Sequence, residues 1–227
     1  MSTQAPIELP GGARVLFTAR ADGNLSSVAG DAPEQGAQRR ERLRRRLGLE
    51  RLARGYQVHG TVVRRVVAGE PPEPPDARPS DADGQATTLE GVGVMVLAAD
   101  CMPVALGCRG AVAIVHAGWR GLAAGVLEEG VRALRELAGE HEVAAVVGPC
   151  AGACCYQVGP EVHAAFGEPA AEAGLLDMRA IAHRRLLAAG VATVGDVDAC
   201  TICDESYFSH RREGARSGRQ AGIAWLS

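Results

Sequence analysis

Two apolar runs dominate the hydropathy pattern, residues 92–98 (VGVMVLA) and 111–115 (AVAIV), and each ends in a reactive side chain. Runs of this length and β-branched content predict buried strands. The glycine-bounded turn at residues 107–110 gives the two strands a way to pair. Residues 13–19 (ARVLFTA) alternate loosely and predict another strand, and 143–148, 191–197 and 220–226 predict three more. Leu43 and Leu47, four apart in an arginine-rich segment, predict an amphipathic helix over 32–48, with Pro33 in its first turn. Helices are also predicted over 122–139, 160–166 and 177–190, the last ended by Gly190.

The remainder reads as connections. Residues 20–31 are rich in turn formers, and 56–67 predict a strand pair or a bulged strand broken at Gly60. Residues 69–84 hold five prolines and predict a surface loop. Residues 85–89 read as a short connector. Strands and helices alternate, yet several strands lie close enough for hairpins. The pattern therefore predicts an α/β (α+β) fold with mixed sheets, a single layered domain over 1–227 with its ordered core at about 13–226.

Composition narrows the class. With 227 residues and 47% hydrophobic content the chain has enough apolar material for a sizeable core. A net charge of −3 gives no case for nucleic acid or a membrane surface as partner. The start of the chain lacks a basic segment followed by an apolar one, and the most apolar window is interrupted by Asp100 and Pro103. A cytoplasmic location is the expectation, and seven cysteines, an odd number, argue against a disulfide framework.

The chemistry gathers where the two apolar runs end. The first leads into Asp100-Cys101-Met102-Pro103, the second into His116-Ala117-Gly118-Trp119-Arg120-Gly121. Zn²⁺ favours thiolate and imidazole, and a catalytic zinc keeps a position open beyond three protein ligands. Cys101 and His116 supply two; His59, in Gln57-Val58-His59-Gly60, is the best third. The same spacing serves a Cys101–His116 nucleophilic pair nearly as well. Asp100 can orient a histidine or act as acid and base in either scheme. Arg20, Arg120, Arg211, Arg212 and Arg219 lie in loops, and Gly118–Gly121 leads into a helix start, where a phosphate fits. Asn24 and Ser26 add neutral donors. Cys150, Cys154 and Cys155 form a second thiol cluster, which offers donors for a second metal but reads more simply as small buried packing residues, and Cys200-Thr201-Ile202-Cys203 is a lone C-x-x-C.

The phrases QVHG, ADCMPV, HAGWRG, GPCAGACCYQVG and CT…YFSHRREGARSGRQAG, in this order, resemble the motifs of the YfiH-type laccase-domain family. The resemblance runs from about residue 17 to 226. Proteins of that family are described variously as polyphenol oxidase, purine nucleoside phosphorylase and peptidoglycan editing factor. The resemblance implies a mononuclear zinc on His59, Cys101 and His116, and the catalytic group Asp100, Cys101 and His116. It implies phosphorolysis of adenosine, inosine, guanosine and methylthioadenosine, with deamination of adenosine. Purine nucleoside and phosphate would then be the partners, with Arg20, Asn24, Arg120 and Arg219 as contacts. Copper fits less well, because multicopper sites need many paired histidines and this chain has six His with no H-x-H pair. The alternative within the family is a Cys–His hydrolase that edits peptidoglycan precursors; a non-catalytic metal-holding protein is a third reading. The N-terminal turn-rich loop, ADGNLSSVAGD, is shorter than the family's usual form.

Overall fold

Two packed sheets form the centre of the computed structural model, which describes all residues except 1–4, 71–77 and 169–170. Most of the proline-rich stretch at 69–84 therefore lies outside the described residues. The strands in chain order are β1 (Ile7–Leu9), β2 (Ala13–Phe17), β3 (Arg51–Arg54), β4 (Val63–Val66), β5 (Gly84–Thr87), β6 (Val92–Ala98), β7 (Met102–Cys108), β8 (Ala111–Ala117), β9 (Val143–Val147), β10 (Gln157–Val158), β11 (Gly174–Leu175), β12 (Val191–Asp196) and β13 (Gln220–Leu226). The helices are α1 (Gly36–Arg46), α2 (Trp119–Ala124), α3 (Val126–Ala138), α4 (Pro160–Ala165), α5 (Met178–Ala188) and α6 (His210–Glu213).

One sheet has the order β1-β2-β13-β6-β3, the other β12-β9-β7-β8-β5-β4, and β10 pairs with β11. Both large sheets are mixed. β3 runs parallel to β6, β4 to β5 and β12 to β9, while the remaining pairs are antiparallel. The chain is a single α/β domain with mixed sheets, as its pattern predicts.

Strand alternation builds the layers. Val112 and Ile114 of β8 face the other sheet and meet Val15, Phe17, Val94 and Val96 there. Ala113 and Val115, on the opposite face, pack with Leu127, Val131 and Leu134 of α3 and Ile181 and Leu186 of α5. On the far side Leu16, Met95, Ile223 and Trp225 pack against Leu43 of α1. The result is four layers, helix–sheet–sheet–helix. Ile114 is fully buried, and burying a side chain of its size contributes about 1.5–3 kcal/mol.

Several expectations need correction. The run 92–98 does not pair with 111–115. β6 belongs to the five-stranded sheet, and the strand that pairs with β8 through the 107–110 turn is β7, with Met102 opposite Ala117. A strand buried on both faces carries no alternation, so β6 and β7 look alike as partners. Three residues, Ala99, Asp100 and Cys101, carry the chain from one sheet to the other. The connector at 85–89 is the strand β5, and 56–67 contains only β4. The helix expected over 122–139 is two helices, split where Gly125 adopts φ 101°. The helix expected over 32–48 begins at Gly36, after a single 3₁₀ turn at Pro33–Gln35. Arg40 in it turns inward and donates to the Leu25 carbonyl at 2.7 Å and the Ser27 hydroxyl at 2.9 Å.

Candidate metal centre and active site

β8 delivers His116 on the same face as Val112 and Ile114, at the edge of the space between the sheets. β5 runs antiparallel to β8 with Gly84 opposite Val115. That register sets Asp83 across from His116. The His116 backbone N–H donates to the Asp83 carbonyl at 2.6 Å, and His116 Nδ1 lies 2.9 Å from Asp83 Oδ1. Asp83 is completely buried. Its Oδ1 also accepts from the His59 backbone N–H at 2.9 Å, and its Oδ2 accepts from Gly60 at 2.7 Å and Val58 at 3.1 Å. One carboxylate therefore holds an imidazole and the turn that carries the other histidine.

Two consequences follow from Asp83. A carboxylate only accepts, so it places the His116 proton on Nδ1 and leaves Nε2 with its lone pair. It also satisfies the backbone of His59, which sits at φ 62°, a left-handed conformation that a non-glycine residue adopts only when its surroundings hold it there. Burial pushes the Asp83 carboxyl up, but His116 and the N–H groups of Gly60 and Val58 outweigh it and hold the group below its ordinary value.

Cys101 ends the crossing between the sheets, with its Sγ 3.9 Å from His59 Nε2. The rings of His59 and His116 stand edge to face, centroids 4.9 Å apart. The donor atoms of His59, Cys101 and His116 all lie within 4.8 Å of one another. A tetrahedral zinc with its usual bond lengths needs S···N separations of about 3.6 Å, so the set fits such an ion. His116 carries the carboxylate partner that metal-bound histidines usually have. Burial pushes the Cys101 thiol up, yet the facing His116 and then His59 reverse this and bring it down. His116 is pulled down by burial and raised more strongly by Cys101 and Asp83. A thiol driven toward thiolate beside two imidazoles has the electrostatics of a cation ligand and equally of a thiolate–imidazolium pair. Gly118 leaves room for it: a Cβ there would lie 2.7 Å from His59 Cδ2 and 3.2 Å from Cys101 Sγ.

A cavity of about 130 Å³ adjoins the trio, lined by Asp100, Cys101, Gly118, Trp119, Tyr156, Met178, His210 and Arg211, together with Ala99. Asp100, at φ 83°, is fixed by two donors. Thr201 Oγ1 donates to its Oδ1 and the Arg211 backbone N–H to its Oδ2, each at 2.7 Å. The guanidinium of Arg120 lies over Trp119, 4.3 Å from the ring centroid, and that of Arg211 over Tyr156 at 4.9 Å.

The predicted anion contacts divide. Arg219 is half-buried, and its Nη1 donates to the Ser217 and Gly218 carbonyls at 2.7 and 2.9 Å. Burial lowers its guanidinium, while the charges of Cys101, Asp100 and Glu213 favour its charged form. Arg120 is exposed beside the cavity wall. Arg20 is taken up by an ion pair with Glu213 and bonds to the carbonyls of Glu205 and Tyr207. Asn24 is buried, and its amide is fully used: it donates to Ala29 and Asp31 carbonyls and accepts from the backbone N–H groups of Ser26 and Arg219. The structure thus makes Asn24 a brace for the loop that carries Arg219, because its short polar side chain folds back onto backbone.

The sequence pattern did not single out Asp83, Tyr156 or Thr201. Asp83 closes a segment that reads as loop, so nothing marked it as buried. Of the other histidines, His163 faces the Gly174 carbonyl and His183 pairs with Asp196. Two imidazoles at one site are too few for a multicopper centre.

Known proteins resemble the chain over nearly its whole length. The family model described as multi-copper polyphenol oxidoreductase laccase matches residues 15–227. A purine nucleoside phosphorylase of Xylella fastidiosa is 40% identical over 221 residues, covering 90% of this chain and 84% of the relative. Purine nucleoside phosphorylase YfiH of Escherichia coli is 35% identical over 218 residues, covering 89% and 86%. The crystal structure of a Neisseria meningitidis protein of the DUF152 family aligns at a TM-score of 0.84 with 32% identity, over 98% of both chains. YlmD from Geobacillus stearothermophilus aligns at 0.84 with 26% identity, over 95% of this chain and 92% of that one.

Proposed function

The chain belongs to the laccase-domain family described as multi-copper polyphenol oxidoreductase laccase, and on that premise we propose that it is a zinc-dependent purine nucleoside phosphorylase that also deaminates adenosine. The observation that carries this reading is the His59–Cys101–His116 donor set, braced by Asp83 and opening onto a cavity walled by Trp119 and Tyr156. Its substrates are phosphate and a purine nucleoside: adenosine, inosine, guanosine or methylthioadenosine. The names of the relatives above support that class.

His59, Cys101 and His116 hold the zinc, which supplies Lewis acidity when bound. Trp119 and Tyr156 offer flat apolar faces for a purine. Arg219 and Arg120 take the phosphate, Arg219 with its loop held by Asn24. Arg20 keeps Glu213 neutralised at the edge of the same region. Asp100, its carboxylate oriented by Thr201 and Arg211, carries a proton to or from the purine.

Purified protein incubated with inosine tests the proposal. Hypoxanthine and ribose 1-phosphate should form with phosphate and not without it, and activity should vanish on chelation and return with zinc. Absence of hypoxanthine under both conditions sinks the reading. Conversion of adenosine to inosine without phosphate tests the deaminase activity separately.

One observation favours a second reading. Cys101, His116 and Asp83 also have the order nucleophile–base–orienter, which suits a metal-free hydrolase editing peptidoglycan precursors. That enzyme would survive chelation and die on alkylation of Cys101.

A further inference from the structure

Four cysteines meet on the surface beyond the site just described. Cys154 and Cys155 come from the loop after β9, and Cys200 and Cys203 from the turn after β12. Cys155 and Cys203 Sγ lie 2.7 Å apart, Cys154 and Cys203 Sγ 3.4 Å, and Cys154 and Cys155 Sγ 3.5 Å. All four sulfurs lie within 4.8 Å of one another. A tetrahedral ion with four metal–sulfur bonds of zinc length sets its sulfurs about 3.8 Å apart, so shifts of about 1 Å would complete the shell.

The backbone is already arranged for a thiolate. The Gly152 N–H donates to Cys200 Sγ at 3.2 Å. The N–H groups of Cys203 and Ile202 also point at this sulfur. A C-x-x-C turn whose own later N–H groups face its first sulfur is folded as a ligand loop before any ion arrives. Arg212 clamps the same turn, donating to the carbonyls of Thr201 and Ile202 at 2.8 Å each. Arg179 holds the adjoining Ala199 carbonyl and approaches Cys150 Sγ at 3.7 Å. Cys150 is buried and outside the set.

We propose that Cys154, Cys155, Cys200 and Cys203 form a second metal site, a four-thiolate structural centre for a soft divalent cation such as Zn²⁺. A closed four-ligand shell leaves no open position, so this ion is structural. Its place in the fold gives it a purpose. It ties the 150–156 loop, which supplies Tyr156 to the cavity, to the turn whose Thr201 orients Asp100. The cysteine read as small packing residues and the lone C-x-x-C are two halves of one site.

Elemental analysis of the full chain, purified under reducing conditions without chelator, tests this. Wild type should hold two zinc ions per chain. Cys154→Ser/Cys203→Ser should hold one, and because both positions are exposed the double variant keeps its packing. His59→Ala should keep the thiolate-bound ion. After exchange with cobalt, intense four-thiolate charge-transfer absorption should persist in His59→Ala and fall to the weak band of the single Cys101 thiolate in the double cysteine variant, with circular dichroism confirming that both are folded. Complete loss of zinc in His59→Ala overturns the proposal. So does an unchanged metal content in the double variant, or a mass short by two hydrogens that reveals a Cys155–Cys203 disulfide instead.

Discussion

Replacing Asp83 with Asn changes one atom and isolates what the buried carboxylate does. In the wild type two oxygens accept four bonds, three from backbone N–H groups and one from His116. An amide has one oxygen. If that oxygen keeps Gly60 and Val58, the amide nitrogen faces the His59 N–H, a donor against a donor, and faces His116 Nδ1 as a donor too. His116 must then carry its proton on Nε2, the atom turned toward the metal position. Leaving buried donors unpaired costs about 1–3 kcal/mol each, so we expect a stability loss of about 2–4 kcal/mol in denaturant unfolding of the chelated proteins. Removing such a carboxylate partner lowers metal affinity by about 10–100-fold, read by competition with a chromogenic chelator. The pH dependence gives an independent sign. The folded carboxyl lies below its ordinary value of 3.8, so its stabilisation is complete above that pH and is lost as pH falls toward the folded value. Wild type should therefore lose an increment of stability below about pH 3.8 that Asp83→Asn does not lose. Unchanged zinc affinity in Asp83→Asn would show that His116 is not held by this bond and refute the reasoning.

Other substitutions probe the remaining parts. Gly118→Ala puts a methyl within 2.7 Å of His59 Cδ2; it should displace that ring and lower zinc affinity at least tenfold (about 1.4 kcal/mol), while a Gly121-side control such as Ala123→Ser keeps full metal content. Thr201→Val removes the 2.7 Å bond to Asp100 and should lower kcat about tenfold with little change in KM, a loss of about 1.4 kcal/mol; steady-state kinetics with inosine would expose a contrary result. Arg219→Ala should raise the KM for phosphate by about 10–100-fold and leave zinc content alone, whereas an unchanged phosphate KM assigns the anion to other residues.

How much of this was legible in sequence depends on what each residue's neighbours signal. His59 and His116 each follow a β-branched residue and precede a small one, and Cys101 lies just past the apolar run at 92–99; these local marks survive into the structure. The sheet partner of β8 was not legible, because β6 and β7 are both seven-residue apolar strands, β7 buried throughout and β6 at every position but Leu97. Only the crossing at Ala99–Cys101 separates them, and nothing in three residues announces a change of sheet. β5 was missed for a different reason. Gly-Gln-Ala-Thr has no large apolar residue, since Gly84 must pass close to Val115, where a Cβ would meet a methyl at 2.7 Å.

Asp83 shows why second partners are harder to read than ligands. A ligand is recognised by its own type, Cys or His, but an orienting carboxylate is recognised only by what it faces, which is set by register. Here three strands fix it. β5 pairs antiparallel with β8 and brings Asp83 to His116; β5 pairs parallel with β4, with Val63 opposite Gly84. The chain entering β4 is the turn at His59, and the Asp83 N–H donates to the Val62 carbonyl at 2.8 Å. A one-residue slip of β5 would turn the carboxylate to the opposite face. His116 would then lose its Nδ1 acceptor and the His59 turn all three of its anchors. The arrangement of the His59–Cys101–His116 donor set is therefore a property of strand register at the end of the six-stranded sheet. A substitution that loosens β5, far from any ligand in chemistry, should degrade metal binding before it degrades the fold.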